Sequence, residues 1–271
     1  MPELPEVETI KRDLTKLIVD KKILDIKTDS VKQVQPSLGV VKKAVMGTTI
    51  KKIGRRAKLL QVFLSNGKIL VVHLKLTGRL LVRDKNDPQD DWQRVLITLS
   101  GGKELRFCDL RKFGWIKLLD ARNWTLEAEK FGPEPFSKEF TIICLKKIFS
   151  KTRRAIKIVL MDQNKIAGIG NIYASEALFL AKIDPRKSAK QLGNQAIEQL
   201  KKAIIKVLKA GIKYRGASDH DYLDALGQKG SYQDHFLVYG REGKKCFDCK
   251  GKVAKIKLSG RGTYFCPKCQ K

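Results

Sequence analysis

The chain has 271 residues, of which 42% are hydrophobic, which suits two or three modules with real cores better than one small domain. Its 56 Lys and Arg against 28 Asp and Glu leave a formal charge of +28, a self-repelling excess that points to a polyanionic partner, nucleic acid first. No stretch approaches the roughly 20 apolar residues of a membrane span, and an amino terminus carrying Glu3, Glu6 and Glu8 is the reverse of a secretory leader, so a soluble, cytoplasmic chain is expected.

In chain order, Leu4, Val7, Ile10, Leu14 and Leu17 recur at helical spacing and predict a first helix. Pro5 is tolerated in its first turn, and the acidic residues favour the same end through the helix dipole. From about residue 23 to 120 the pattern becomes that of strands. Residues 59–64 and 68–74 flank Ser65-Asn66-Gly67; residues 95–99 and 104–107 flank Gly101-Gly102; a further strand covers 115–119. Short strands joined by tight turns predict an antiparallel sandwich. The acidic stretch 84–91 reads as an exposed loop, and Phe131-Gly132-Pro133-Glu134-Pro135 as a linker. Helices are expected over 140–149, 155–162 and 189–210, the last with Leu192, Ala196, Leu200, Ile204 and Leu208 on one face and Gly211 ending it. Residues 212–240 look loop-like. The expected class is α+β: a β-sandwich domain over 1–130 with flanking helices, a linker over 131–137, a helical domain over 138–240 and a cysteine-bearing tail over 241–271.

Three signals carry chemistry. Cys246-Phe-Asp-Cys249 is followed after sixteen residues by Cys266-Pro-Lys-Cys269, the spacing of a zinc ribbon. Four thiolates close the coordination sphere, so one structural Zn2+ is expected, folding a tail too short to fold alone. Cys108 and Cys144 stand apart and read as small core or surface residues. The second signal is Gly168-Ile-Gly170-Asn171, which precedes a helix start. Free N–H groups there suit a phosphate, although a Gly-x-Gly alone is a weak motif. The third is Met1-Pro2-Glu3. Removal of Met1 frees a secondary amine at Pro2, partly unprotonated at neutral pH and able to attack an aldehyde-level carbon to give an iminium. With Met1 retained, the nitrogen is an amide and cannot attack.

The chain resembles the formamidopyrimidine-DNA glycosylase family, which is related to endonuclease VIII. The matching pieces are PELPEVET at 2–9, RRAKLL at 55–60, HLKLTG at 73–78, DLRKFG at 109–114, LMDQNKIAGIGNIYASEALF at 160–179, VYGREG at 238–243 and GRGTYFCPKCQ at 260–270, in the family's order and spacing. The resemblance implies an N-terminal β-sandwich, a helix–two-turn–helix module and a zinc-finger hairpin, with damaged double-stranded DNA held between the two halves by a monomer, on the nucleoid if the source is bacterial. It implies a bifunctional enzyme that removes oxidised or ring-opened purines and cleaves abasic sites by Schiff-base formation and β,δ-elimination. Pro2 then attacks C1′, Glu3 acts as acid and base at the sugar, and Lys58 serves phosphate and the reacting region. His73, Lys157, Asn171, Tyr239 and Arg261 match positions that hold the DNA backbone. Arg111 and Phe113 match residues that fill the gap beside the flipped nucleotide, and Glu6 matches a position near the base pocket. Where family members carry Gly-Met-Ser after His-Leu, this chain has Lys75-Leu76-Thr77, so Leu76 takes the place of the methionine wedge. Residues 216–235, where the family closes a loop over the flipped base, match weakly. Two alternatives stand beside this reading: an endonuclease VIII-like preference for oxidised pyrimidines, disfavoured by the Pro-Glu-Leu start, and a non-enzymatic zinc-ribbon protein that binds distorted DNA.

Overall fold

The first helix, α1 (Leu4–Ile18), buries Leu4, Val7, Ile10, Leu14 and Ile18 along one side. Its last buried contact is Ile18 rather than the expected Leu17, which is half-buried. The computed structural model describes residues 1–219 and 221–271. Position 220, inside the 216–235 segment, lies outside the described residues. The chain divides into two units, Met1–Glu129 with Tyr214–Ser231, and Lys130–Lys213 with Tyr232–Lys271.

The first unit holds two sheets. One has the order β1-β7-β8-β6, from β1 (Ile23–Thr28), β6 (Gly78–Asp84), β7 (Gln93–Leu99) and β8 (Lys103–Asp109). The other has the order β2-β9-β5-β4-β3, from β2 (Val34–Gln35), β3 (Ile50–Arg56), β4 (Leu59–Leu64), β5 (Lys68–His73) and β9 (Trp115–Asp120). Both expected hairpins form. β4 and β5 turn at Gly67, with φ of 77°, and β7 and β8 turn at Gly101 and Gly102, with φ of 75° and 70°. These are left-handed conformations that glycine adopts without penalty. Pairing is antiparallel throughout except for two-residue β2, which lies parallel to β9. β4 is buried at nearly every position because α1 packs on β3 and β4, which explains why it is apolar on both faces except at Gln61.

Two short helices escaped the periodicity reading. α2 (Leu38–Val45) starts at Ser37, whose side chain accepts from Val40 N–H. α3 (Ala121–Ala128) starts at Asp120, which accepts from Asn123 N–H at 2.8 Å. Eight residues are too few to show helical periodicity inside a strand-rich region, and the capping residues were the available clue. The acidic stretch is largely exposed, but Asp90 turns inward to pair with Arg83 and buried Arg106, each at 3.1 Å.

The second unit contains α4 (Ile142–Ser150), α5 (Ile156–Met161), α6 (Asn171–Leu180), α7 (Asn194–Lys213) and a hairpin of β10 (Ala254–Leu258) and β11 (Arg261–Phe265). The segment read as a linker is bonded into this unit: Gly132 N–H donates to Gln163 O at 2.9 Å, and Ala167 N–H to Pro133 O at 3.1 Å. The helix expected over 189–210 begins instead as a 3-10 turn at Ala189–Gln191; α7 starts at Asn194 and runs past Gly211. Gly211 therefore does not end the helix. A Cβ there would collide with the Tyr173 ring and hydroxyl, so the glycine permits close packing of α7 on α6.

Candidate active site and nucleic-acid interface

The amino terminus is fixed by carboxylates. Glu6, in the first turn of α1, accepts from Glu3 N–H at 2.8 Å through one oxygen and from Ala217 N–H at 2.8 Å through the other. Glu3 and Glu6 are both buried, as is Pro2. Farther along the same helix Glu8 receives Arg55 Nε at 3.1 Å, and Arg55 also donates to Ala57 O at 2.9 Å. Burial raises the pKa of Glu8, but the Arg12 and Arg55 guanidiniums outweigh it and hold the carboxyl below its usual range. This chain of bonds lays the start of α1 against the tight β3–β4 turn, where Ala57 adopts a φ of 54°. Lys58, the next residue, is buried. Pro2, Glu3 and Glu6 thus sit at the start of α1, and Lys58, far from them in sequence, follows the turn that the same helix is bonded to, all within the sandwich unit.

At the end of β5, His73 is paired with Trp115 of β9. Its Nδ1 accepts from Lys75 N–H at 2.9 Å, so the neutral ring carries its proton on Nε2. Burial, with the nearby charges of Lys75 and Lys58, pushes its pKa down to about 3. His73 is thus a neutral N–H donor at physiological pH. Lys75 follows with a φ of 54°, and Leu76 is half-buried. Thr77 hydroxyl donates to buried Asp109, whose second oxygen accepts from Gly114 N–H at 2.7 Å and from Gln33 Nε2 at 3.1 Å. Arg111 N–H donates to Thr77 Oγ1 at 3.1 Å. The departure at 75–77 therefore keeps a hydroxyl that ties the Leu76 turn to the 109–114 loop. On that loop Arg111 and Phe113 are exposed, with the guanidinium carbon 4.9 Å from the ring centre. Nearby Cys108 is buried, and burial pushes its thiol up to about 12, which leaves it an inert core group.

In the second unit, Asn171 is the first residue of α6, directly after Gly170. Its Nδ2 donates to Gly262 O at 3.1 Å, and its buried Oδ1 has no hydrogen-bond partner among the described residues. Lys157, on α5, donates to the same Gly262 O at 3.2 Å and to Thr263 Oγ1 at 2.8 Å. This lysine is wholly buried, and these bonds brace the hairpin tip. Arg261 is exposed beside that tip, after Ser259 and Gly260 with φ of 45° and 76°, the two-residue hairpin turn. Tyr239 packs its ring 5.0 Å from that of Tyr264, and its N–H donates to Glu176 Oε1 at 2.8 Å. Fully buried Glu176 also accepts from Leu237 and Val238 N–H. Burial raises its pKa against the pull of those three N–H groups. No local motif marks Glu176 as the anchor of residues 61 to 63 positions away.

The four cysteine sulfurs lie within 4.8 Å of one another, with Cys246–Cys269 at 3.9 Å and Cys249–Cys266 at 3.4 Å. A tetrahedron of Zn–S bonds of about 2.3 Å has edges of about 3.8 Å, so the residues fit one structural Zn2+ with no open position. The sulfurs sit against Phe179, Val238 and Val253, a core too small to fold the tail unaided.

A sandwich with a carboxylate-capped amino terminus, a helical module and a four-cysteine hairpin are the parts of a DNA-repair enzyme that carries a zinc finger. Residues 1–116 match the formamidopyrimidine-DNA glycosylase N-terminal domain, residues 131–221 the H2TH domain of the same enzymes, and residues 243–271 the zinc finger found in FPG and IleRS. The chain is 42% identical to a formamidopyrimidine-DNA glycosylase of Pelotomaculum thermopropionicum, over all of this chain and 99% of the relative. It is 38% identical to that of Streptococcus mutans over the whole of both. Among solved structures it is similar to a Lactococcus lactis FPG variant in complex with DNA containing Fapy-dG, with a TM-score of 0.94, 36% identity and full coverage of both chains. It is also similar to the Lactococcus lactis enzyme with abasic-site DNA, with a TM-score of 0.93, 36% identity and 99% coverage of both. The chain belongs to the formamidopyrimidine-DNA glycosylase family, whose members are DNA glycosylases and abasic-site lyases.

Proposed function

We propose that this chain excises oxidised and ring-opened purines from double-stranded DNA and cuts the strand at the resulting or pre-existing abasic site, with Pro2 as nucleophile. The observation that carries the reading is the Glu6 carboxylate holding Glu3 N–H at 2.8 Å, which fixes Pro2 and Glu3 at the head of α1 beside the Lys58 turn.

After removal of Met1, the Pro2 amine forms a bond to C1′ as the bond from C1′ to the base breaks, and the base leaves as its protonated form. The amine loses its proton, the C1′–O4′ bond breaks with a proton going to O4′, and the nitrogen lone pair closes an iminium on the opened sugar, an electron sink for the steps that follow. Glu3 moves protons at the sugar. Loss of a C2′ proton expels the 3′ oxygen, a second elimination expels the 5′ oxygen, and water releases Pro2. Lys58 neutralises phosphate at the reacting nucleotide, and His73 donates Nε2–H to the backbone. The target carbon is inaccessible in stacked duplex, so the nucleotide is flipped out. Leu76, Arg111 and Phe113 fill the gap, with Arg111 toward the orphaned partner base. In the second unit Asn171, Tyr239 and Arg261 hold phosphates, and Lys157 acts by positioning the hairpin tip. The +28 charge supplies affinity independent of sequence, which suits a lesion found in any context. The setting is nucleoid DNA in the cytoplasm, with the protein acting as a monomer. Among the described residues no helix is long and apolar enough to cross a membrane.

Borohydride trapping tests the reading on duplexes carrying oxidised guanine, a formamidopyrimidine, an oxidised pyrimidine or an abasic site. Covalent protein–DNA adducts on the purine lesions and the abasic site are expected. Binding without any adduct would leave a non-enzymatic DNA binder, and adducts confined to oxidised pyrimidines would point to the endonuclease VIII-like alternative.

A further inference from the structure

One residue beyond α7, after Tyr214, the backbone takes two consecutive left-handed residues, Arg215 with φ of 59° and Gly216 with φ of 87°. For arginine this conformation costs about 1 to 2 kcal/mol. The side chain shows what holds it there. Arg215 Nη2 lies 2.7 Å from Asp13 Oδ2 on α1, and Nε lies 3.0 Å from Asp224 Oδ2. Asp13 and Asp224 are both buried, the latter completely. The other Asp224 oxygen accepts from Leu226 N–H at 3.0 Å and Gln228 N–H at 2.9 Å. Val82 N–H on β6 donates to Ala225 O at 2.8 Å, and Tyr222 and Ala225 lie in the sandwich core. One guanidinium thus joins α1, its own left-handed turn and a second, firmly seated turn.

Between these anchors, Gly216 and Ala217, at the head of the 216–219 segment, lie against the first turn of α1. Ala217 N–H is bonded to Glu6, and a Cβ on Gly216 would come within 2.8 Å of Glu6 Cγ. Glu6 is one helical turn from Glu3. The base removed in the reaction is attached to the very carbon that Pro2 attacks, so it must lie beside this turn. A segment seated there contacts the base, and has nothing to contact when the base is missing.

We propose that Arg215 is a positioning residue for base excision, holding residues 216–219 as one wall of the damaged-base site through its bridge between Asp13 and Asp224. The proposal rests on the Pro2–Glu3 reading. None of the three residues carries a motif, but Glu6, Thr9 and Asp13 form a buried polar stripe along α1, a signal visible at helical spacing.

The test is single-turnover cleavage of two duplexes that differ in one nucleotide, oxidised guanine or an abasic site, with Arg215→Met, Arg215→Lys and Asp13→Asn. Arg215→Met is expected to slow base excision about tenfold or more while abasic cleavage stays within about threefold, because only the first needs the wall. Arg215→Lys, which keeps the charge but not the fork, falls between wild type and Arg215→Met. Asp13→Asn leaves the Asp224 bond in place and shows the same selectivity to a smaller degree. Its effect should vanish in an Arg215→Met background, since it acts through Arg215. Equal losses on both substrates, the mark of a merely structural role, overturn the proposal, as does a wild-type ratio of rates in all three variants. If the wild-type protein gives no borohydride adduct on either duplex, the Pro2 reading fails and takes this proposal with it.

Discussion

The ammonium of Lys157 lies 2.8 Å from the hydroxyl of Thr263, 106 residues farther along the chain, and is wholly buried there. Because the same nitrogen and Asn171 Nδ2 converge on Gly262 O, the hairpin tip is held to α5 by a charge-assisted bond and to the start of α6 by an amide one. Lys157→Met removes the donor and keeps the volume. It should weaken DNA binding while zinc content stays at one per chain, and should lower stability by about 1.5 to 3 kcal/mol. Titration of abasic duplex alongside metal analysis checks this; unchanged affinity would remove the hairpin tip from the DNA-binding surface.

His73 gives a pH dependence with a definite sign. Its pKa of about 3 in the folded state lies below that of a free histidine, so the unfolded chain takes up a proton first. The stabilising contribution is complete above pH ~6.5 and is lost as pH falls from there toward 3. Between pH 6.5 and 5 the wild type should lose about 1 to 2 kcal/mol more stability than His73→Gln, which has no group to titrate. Urea denaturation of both proteins at the two pH values measures the difference, and parallel curves would place His73 in a more solvated setting.

Gly211→Ala sets two effects against each other. Helix propensity favours alanine by about 1 kcal/mol. The new methyl, however, collides with Tyr173, which is buried and stacked 5.2 Å from Tyr232, with no room to swing aside. A net loss of about 1 to 3 kcal/mol is expected. A thermal melt that rises would show that α6 and α7 separate more easily than their packing suggests.

Chelation of zinc, or Cys266→Ser, should disorder the tail and raise the Kd for DNA at least about tenfold while the sandwich keeps its cooperative unfolding. Near-ultraviolet circular dichroism and filter binding report the two effects separately. A fully active, metal-free preparation would refute the structural zinc.

Glu3→Gln keeps the shape of the side chain and removes its proton-transferring carboxyl. Base excision should collapse, and cleavage of a pre-formed abasic site should fall less, because the base has already gone. Comparison of single-turnover rates on the two substrates decides the matter, and equal losses would contradict a role for Glu3 in base departure.

Local features of the sequence went far. The Gly67 and Gly101-Gly102 turns, the two Cys-x-x-Cys pairs and, up to its last turn, the apolar spacing of α1 each act within one element, where short-range physics is decisive, and stand where the sequence put them. The helix ends did not come out the same way. Gly211 reads as a stop because glycine weakens a helix, but α7 continues through it because α6 presses there. Residues 212–240 read as plain loop because Gly, Ser and Asp carry no periodicity, which says nothing of how firmly a loop is held.

What the sequence alone determined was the set of parts: a sandwich, a helical module, a zinc hairpin and a proline-led amino terminus. Charge, periodicity and ligand spacing are properties of neighbouring residues, so they survive without coordinates. What only the tertiary structure decided was which groups spend their bonding capacity on one another. Lys157 and Asn171 converge on Gly262, Glu6 joins Glu3 to Ala217, and Arg215 spans Asp13 and Asp224 across 202 and 9 positions of chain. A buried charge must find its partners wherever the fold brings them, and no spacing rule in the sequence encodes a meeting over such distances.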